Sequence, residues 1–441
     1  MSTLIIIIFI LGYLAIALEH PIKIDKAASA LITGILCWTI YVFSIDGNGH
    51  DIIHTIEHGL NNGGGLYHHM YDIANILFFL MGAMTIVELV DAHEGFAVIT
   101  DKIKTKSSTK LLWIICLITF FFSAALDNLT TTIVMISLLR KLIDDVKIRW
   151  IFVGMVVISA NAGGAWSPIG DVTTTMLWIK GQLPNVEGIV TNLFIPSFVS
   201  MLVPLIILSM SLKGEIKRPV KQENLDHYIN PTTSGERTFV FFLGIAGLIF
   251  VPIFKTYTHL PPFMGMMLSL GILWAITEVM HIGKSKSEKH PLSVIGVLQK
   301  IDTASVLFFL GILLAVGALQ EIGHLRTAAE KLDTLFSGNI FSINIVIGLL
   351  SSIVDNVPLV AAAQGMYDIS PSGDFAANGR FWEFLAFCAG TGGSALIIGS
   401  AAGVAAMGLE KIDFVWYLKK ISWLAVIGYL SGALVFYLMF A

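Results

Sequence analysis

Two short polar runs, Ser123-Ala-Ala-Leu-Asp127-Asn128 and Ser351-Ser-Ile-Val-Asp355-Asn356, interrupt long apolar stretches of this chain. If those stretches lie in a bilayer, each Asp is expensive. A charged side chain at the centre of a membrane helix costs about 2.5–3.5 kcal/mol even on the lenient insertion scale, so it should have a partner or a task. Asp is also a favoured helix N-cap, and Asp127 and Asp355 could each cap the second arm of a hairpin. Capping alone does not explain a charge where Ser or Asn would serve. Hard cations such as Na⁺ and Li⁺ take oxygen ligands, by the argument that holds for Ca²⁺ and Mg²⁺, and Asp, Asn, Ser and Thr oxygens are what these tips offer. A desolvated carboxyl also favours its neutral form, so one group can hold either a proton or a metal ion. Asp127 and Asp355 are therefore the leading candidate cation and proton ligands, with Asn128 and Asn356 beside them.

Two Gly-rich breaks follow the tips: Asn161-Ala-Gly-Gly164 running to Gly170-Asp171, and Gly390-Thr-Gly-Gly393 running to Gly399-Ser400. A helix stopped in mid-membrane frees carbonyls that can coordinate a cation. The plainer alternative is a kink between packed small residues. Asp171, with Thr173 and Thr174 behind it, opens the second half of its broken helix, and Ser400 holds the equivalent place. Both types are good N-caps, so capping explains this pair nearly as well as cation binding. Ser123, Ser351, Asn161, Thr391 and Ser394 are candidate neutral ligands. Glu88 is a lone acid near the end of its span, where snorkelling to the interface explains it as well as a relay role. His50, His54, His58, His68 and His69 crowd one loop; the i, i+4, i+8 spacing of the first three fits a metal site or a pH sensor, but a solvated polar loop is the simpler reading.

The elements that must position these residues are membrane helices. Of 441 residues, 55% are hydrophobic and 13% charged, about half the charge of a soluble domain, and the mean hydropathy is +0.80. The apolar residues form blocks near the roughly 20 residues that a helical span needs, and nothing alternates as a barrel strand does. Cys37, Cys116 and Cys388 all lie inside apolar blocks, which argues against a disulfide framework. The first residues lack the basic segment of a signal peptide, so 3–18 reads as a retained helix. The longest polar stretch, about 213–237, is too short for a soluble catalytic module. With no nucleophile–base constellation and no nucleotide loop, an enzyme is not expected, nor a nucleic-acid partner; no cofactor is implied.

Basic residues favour cytoplasmic loops. All but five of the 27 here (Lys180, Lys255, Arg326, Lys331 and Arg380) fall in clusters around 23–26, 102–110, 140–149, 213–237, 284–300 and 411–420. Segment 111–139 has basic flanks on both sides and so reads as a re-entrant hairpin, tolerated at membrane depth where protein buries its tip or a cavity meets it. Segment 341–366 is interrupted in the same way.

The two halves also match each other. Leu77-Phe-Phe-Leu80 recurs as Leu307-Phe-Phe-Leu310, Ser123-x-x-x-Asp127-Asn128 as Ser351-x-x-x-Asp355-Asn356, and the first Gly-rich break as the second, at offsets of 228 to 230. The expected fold is thus an all-α polytopic membrane protein of two inverted repeats. Each would have five crossings, one of them a broken helix, plus one re-entrant hairpin. The first repeat would be 1–212 (hairpin about 111–139, broken helix about 150–179), joined by a cytoplasmic linker 213–236 to a second at 237–441 (hairpin about 341–366, broken helix about 382–408). Such repeats, with broken helices meeting at the midplane, are common among secondary transporters. Both termini would lie on the periplasmic or outer side.

The tip Ala-Leu-Asp127-Asn-Leu-Thr-Thr-Thr132, the break Asn161-Ala-Gly-Gly-Ala-Trp-Ser-Pro-Ile-Gly-Asp171 and the tip Ser-Ser-Ile-Val-Asp355-Asn356-Val-Pro together resemble NhaD-type sodium/proton antiporters. These belong to the ion transporter superfamily, which includes arsenite and dicarboxylate carriers. The resemblance spans essentially the whole chain. It implies Na⁺ or Li⁺ efflux coupled to H⁺ entry across the inner (plasma) membrane, by a homodimer in the lipid bilayer. It places the substrate site at the hairpin tips. The competing expectation is an anion carrier for arsenite, silicate or a dicarboxylate, whose dicarboxylate branch typically carries Ser-Asn-Thr at both tips. Asp-Asn-Leu and Asp-Asn-Val stand here instead, and two carboxylates would repel an anion unless cations bind beside it.

Overall fold

A computed structural model describes residues 2–46, 52–58, 65–100, 102–219 and 231–440. The chain is helical throughout, and the only β pairing among the described residues is two isolated bridges. Among the described residues, nine helices are long and apolar enough to cross a membrane. Residues such as Phe242, Ile249 and Leu438 stand exposed on them, which fits a lipid-facing surface rather than water. This is a polytopic helical membrane protein.

The main helices of the first half are α1 (Ser2–Ala17), α2 (Lys26–Asp46), α3 (Gly65–Ala92), α4 (Ser108–Leu126), α5 (Asn128–Leu142), α6 (Val146–Ala165), α7 (Val172–Ile179) and α8 (Val186–Ser211). The second half holds α9 (Ser234–Thr258), α10 (Pro262–Met280), α11 (Thr303–Glu321), α12 (His324–Phe336), α13 (Ile340–Leu350), α14 (Asn356–Met366), α15 (Arg380–Gly392), α16 (Ala401–Glu410) and α17 (Ser422–Phe440). Helix α12 is the element that sequence reasoning passed over. It is amphipathic, with Arg326, Glu330 and Lys331 among its residues, and it bends by 118° into α13. A charged stripe of that kind suits an interface-lying helix and not a crossing.

Packing sorts the helices into two bundles. In one, α1 lies on α2 and α9 on α10, while α2 packs on α11 and α10 on α3. In the other, α4 lies on α6 and α13 on α15, α5 on α16 and α14 on α7, with α8 against α17 and α6 against α15. Each of these contacts made by one half is answered by the equivalent contact of the other.

Both hairpins begin and end on one face. At the base of the first, the Ser108 hydroxyl donates to the Gly214 carbonyl at 2.9 Å and the Asp144 amide to Lys217 at 3.1 Å, so both arms meet the strand-like segment 214–217. At the base of the second, Asp333 receives the Gly338 amide on its carbonyl at 2.8 Å and the Tyr367 hydroxyl on its carboxylate at 3.1 Å. Glycine sets how closely hairpin and broken helix approach. A Cβ on Gly163 would sit 2.2 Å from the Phe120 carbonyl oxygen, and one on Gly392 would sit 2.0 Å from that of Gly348. Real Cβ atoms never come so close, so only glycine permits either crossing.

A clamp of charges ties three helices together at the basic end. Glu410, whose side chain is 1% exposed, accepts from Arg140 Nε at 2.6 Å and Arg149 Nε at 2.7 Å, tying α5 and α6 to the end of α16. Trp150 Nε1 adds a bond to the Glu410 carbonyl at 3.0 Å.

Candidate functional site

The hairpin tips and helix breaks converge between α5, α6, α7 and α14. Asp171 is 1% exposed and lies at the meeting point. As N-cap of α7 its Oδ1 accepts from the Thr173 amide and the Thr173 hydroxyl, each at 2.9 Å. Its Oδ2 accepts from Asn128 Nδ2, on the first hairpin, at 3.0 Å. Asn356 Nδ2, on the second, reaches the two oxygens at 3.5 and 3.4 Å. One carboxylate therefore gathers donors from both tips.

Asn161 extends this network across the halves. Its Oδ1 accepts from Asn128 Nδ2 at 3.0 Å, while its Nδ2 donates to Ser394 Oγ and Ser400 Oγ, both at 2.9 Å. Ser400 caps α16 by accepting the Gly403 amide at 3.2 Å. Asn128, Asn161, Asp171, Asn356, Ser394 and Ser400 are all buried, and this is an oxygen-rich cluster.

The tip carboxylates sit beside the cluster. Asp127 has φ 74°, a left-handed value that is uncommon for a non-Gly residue; its Oδ1 accepts the Thr130 amide and its Oδ2 the Thr130 hydroxyl, both at 2.8 Å. Asp355 caps α14 through the Val357 amide at 3.2 Å. Both are half-buried, where Asp171 is enclosed. The two tip serines are clasps: Ser123 Oγ donates to the Ala160 carbonyl at 2.5 Å and Ser351 Oγ to the Ala389 carbonyl at 3.0 Å, bonding each hairpin to its broken helix at equivalent places. Thr391 donates to Phe387 within its own helix at 2.6 Å, and Thr174 to the Ala165 carbonyl at 3.4 Å.

Cavities lie along the hairpin tips at the basic end. The first is lined by Tyr13, Glu19, Lys26, Phe308 and Asp355, with the Lys26 ammonium 4.8 Å above the Phe308 ring. The second shares Glu19 and Lys26 and adds Asp25, Leu129 and Asp302. The third shares Leu129 and Asp302 and reaches Glu88, Asp91, Thr130 and Lys300. Together they make a trench along both hairpin tips, and Glu88 lines it. Sequence reasoning also passed over Thr131 and Thr132, fully buried with hydroxyls that find no hydrogen-bond partner; the run of three Thr after the tip was the available signal. The His-rich loop divides. His50 lies outside the described residues, His54 and His68 are exposed, and the backbone of His58 ends a short helix. His69 departs from the expected solvated loop: it is buried and its Nε2 lies 3.0 Å from Glu321 Oε1.

Broken helices and hairpin tips that converge on a buried polar cluster inside a helical membrane bundle define a membrane transporter. A family model described as "Citrate transporter" (CitMHS) matches residues 5–382, and the chain belongs to that family. Among curated proteins it is 45% identical to "Sodium/proton antiporter 1" of Arabidopsis thaliana, over 97% of this chain and 70% of that protein. It is 43% identical to "Sodium/proton antiporter 2" of the same plant, over 98% of each. The "Na(+)/H(+) antiporter NhaD" of Vibrio cholerae serotype O1 is 29% identical over 96% of this chain and 88% of its own.

Proposed function

We propose that this protein exchanges Na⁺ or Li⁺ for H⁺ across a membrane by alternating access. The observation that carries the reading is Asp171, a buried carboxylate that accepts from Asn128 and Asn356 on opposite hairpins. A hard cation asks for several oxygens around a negative charge. Asp171 supplies the charge. Asn128, Asn161 and Asn356 supply amide oxygens, since an Asn offers either its oxygen or its nitrogen after a half-turn of the amide. Ser394, Ser400 and Thr173 hydroxyls complete the set. Without the cation, a proton satisfies the same carboxyl, so one site alternates between two cargoes and couples them. Asp355, which lines the trench, and Asp127, next to its lining residues Leu129 and Thr130, pass cations and protons between that site and the aqueous phase.

On this reading the two halves are inverted repeats, the basic end is cytoplasmic, both termini are on the outer side of a cell inner membrane, and the protein works as a homodimer. The label of the matching family favours a second reading, coupled transport of a carboxylate anion. The buried cluster weighs against it: its one formal charge, on Asp171, is negative. The relatives at 43% and 45% are named for sodium and protons.

The test is an everted vesicle with an imposed proton gradient and a pH-sensitive dye. Added Na⁺ or Li⁺ should dissipate the gradient, and Asp171→Asn, Asp127→Asn and Asp355→Asn should remove the response. No response to either ion at neutral and alkaline pH, from protein inserted normally, would overturn the reading; dissipation by citrate instead would establish the second one.

A further inference from the structure

The two mouths of the interface between the bundles are in different states. At the basic end the trench parts α16 from α2 and α11, and α5 meets α3 only narrowly beside it. At the opposite end the bundles touch: α14 packs on α11 and α7 on α3. Cations hold this closed mouth. Lys180, the residue after α7, places Nζ 3.3 Å from Asp72 Oδ2 on α3, with the two side chains only 21% and 19% exposed. His68 stands 3.9 Å from the same oxygen. Lys255 on α9 donates to the Trp178 carbonyl at 2.7 Å and lies 4.3 Å above the Trp178 ring, so it too grips α7.

The internal repeat supplies a mate for each member of the ion pair. Asp72 stands five residues before Leu77-Phe-Phe-Leu80; Asp302 stands five before Leu307-Phe-Phe-Leu310. Lys180 is the C-cap of α7; Lys411 is the C-cap of α16, the equivalent half-helix. Asp302 is exposed at the open trench, where it caps α11 through the Ser305 amide at 3.0 Å. Lys411 is exposed and makes no ion pair among the described residues. One Asp–Lys pair is joined where the bundles are closed, and its counterpart is parted where they are open.

We propose that Asp72–Lys180 and Asp302–Lys411 are alternating latches. The first seals the outer mouth in the arrangement seen here, and the second forms at the cytoplasmic mouth when the α4–α8 and α13–α17 bundle shifts. Asp72, Lys180, Asp302 and Lys411 are positioning residues: they touch no cargo and set which mouth is open. This rests on the inverted-repeat, alternating-access reading above. It explains why a chain with so few basic residues on its outer side keeps one at the end of α7. Only one latch can close at a time, so neither holds the protein permanently in one state.

Cross-linking separates this proposal from the identity of the cargo. The three native cysteines are buried and can stay. Asp72→Cys/Lys180→Cys and Asp302→Cys/Lys411→Cys are each treated with a short bis-maleimide, and linked peptides are read by mass spectrometry. Both pairs should link, and each link should stop transport. A thiol reporter at Ala405→Cys, in the trench, gives a reading without cross-linking. Asp72→Asn or Lys180→Met should slow its maleimide labelling roughly two- to fivefold, the range an exposed ion pair supplies. The exchange Asp72→Lys/Lys180→Asp should restore it. Failure of Asp302→Cys/Lys411→Cys to link in preparations where Asp72→Cys/Lys180→Cys does, or reporter labelling indifferent to the Asp72 and Lys180 changes, would overturn the latch. Both links forming in a protein that ignores Na⁺ and Li⁺ would leave the latch standing and remove the antiport reading alone.

Discussion

Asp171 and Ser400 occupy equivalent places in the two halves, yet one carries a charge and the other does not. The same inequality separates Asn161 from its counterpart Gly390. A backbone repeated twice thus holds a polar cluster of three residues from each half, whose one carboxylate comes from the first. That asymmetry gives a single carboxylate the central place, where two related by the repeat would repel each other. Asp171→Asn tests its role cleanly. Asn is as good an N-cap as Asp and keeps the shape, so α7 should form and unfolding stability should change by less than about 1 kcal/mol. Na⁺-dependent proton movement should nevertheless fall to background in the vesicle assay. Ser400→Ala should behave oppositely: losing a cap costs about 1 kcal/mol in a detergent melt, with transport reduced but measurable. The sequence alone marked Asp127 and Asp355 as the leading pair because they match in both halves. It could not show that their carboxylates turn back to cap their own helices, or that Asn128 and Asn356 reach Asp171 from opposite sides. Spacing fixes which residues sit at a tip; only packing decides where their side chains aim.

The elements were legible to the extent that physics is local. Apolar blocks announced the spans; paired basic flanks around a polar tip marked the first hairpin, and the recurrence of that tip marked the second. The breaks were legible because Gly clusters are rare inside a helix that has nothing to accommodate. What they accommodate was not legible: Gly163 and Gly392 each face a backbone carbonyl of the neighbouring hairpin arm. Gly163→Ala and Gly392→Ala should each destabilise the protein by about 1–3 kcal/mol through overpacking, seen as a lower Tm in detergent. Gly271, with open space around it, should tolerate Ala and serves as the control. Another unannounced contact joins the ends of α3 and α10. His93 Nδ1 lies 2.7 Å from the Leu89 carbonyl, so it is the protonated nitrogen, and His93 Nε2 accepts from His281 Nε2 at 2.7 Å. That arrangement requires a neutral His93 ring, since its Nε2 must accept. Burial pushes the His93 pKa down from 6.5 to about 4, and burial lowers His281 as well. The unfolded chain therefore takes up protons first as pH falls, so this contribution to stability is whole above about 6.5 and is lost toward about 4. Melts across that window should show Tm falling with pH. His93→Phe/His281→Phe, which stacks without titrating, should show a shallower fall.

At the scale of the molecule the bases of the two hairpins decide how the chain sits in a bilayer. The base of the first meets segment 214–217, among Lys102–Lys110, Arg140–Arg149 and Lys213–Arg218. The base of the second meets Asp333 of the amphipathic α12. Positive charge gathers at the first and is sparse at the second, so the first should face the cytoplasm. Inverted halves require the two bases on opposite sides; parallel halves would put them on the same side. Lys217 and Lys331 are exposed at the two bases, and a thiol at each separates the cases. In intact cells an impermeant maleimide should label Lys331→Cys at once and Lys217→Cys only after permeabilisation. Labelling of both from outside, or of neither, would mean that the halves are not inverted, and a site closed by hairpins arriving from opposite faces could not form as described. The converse result, Lys217→Cys outside and Lys331→Cys inside, would keep the inversion and reverse the membrane orientation, making the open trench an outward mouth and the Asp72–Lys180 pair a cytoplasmic one.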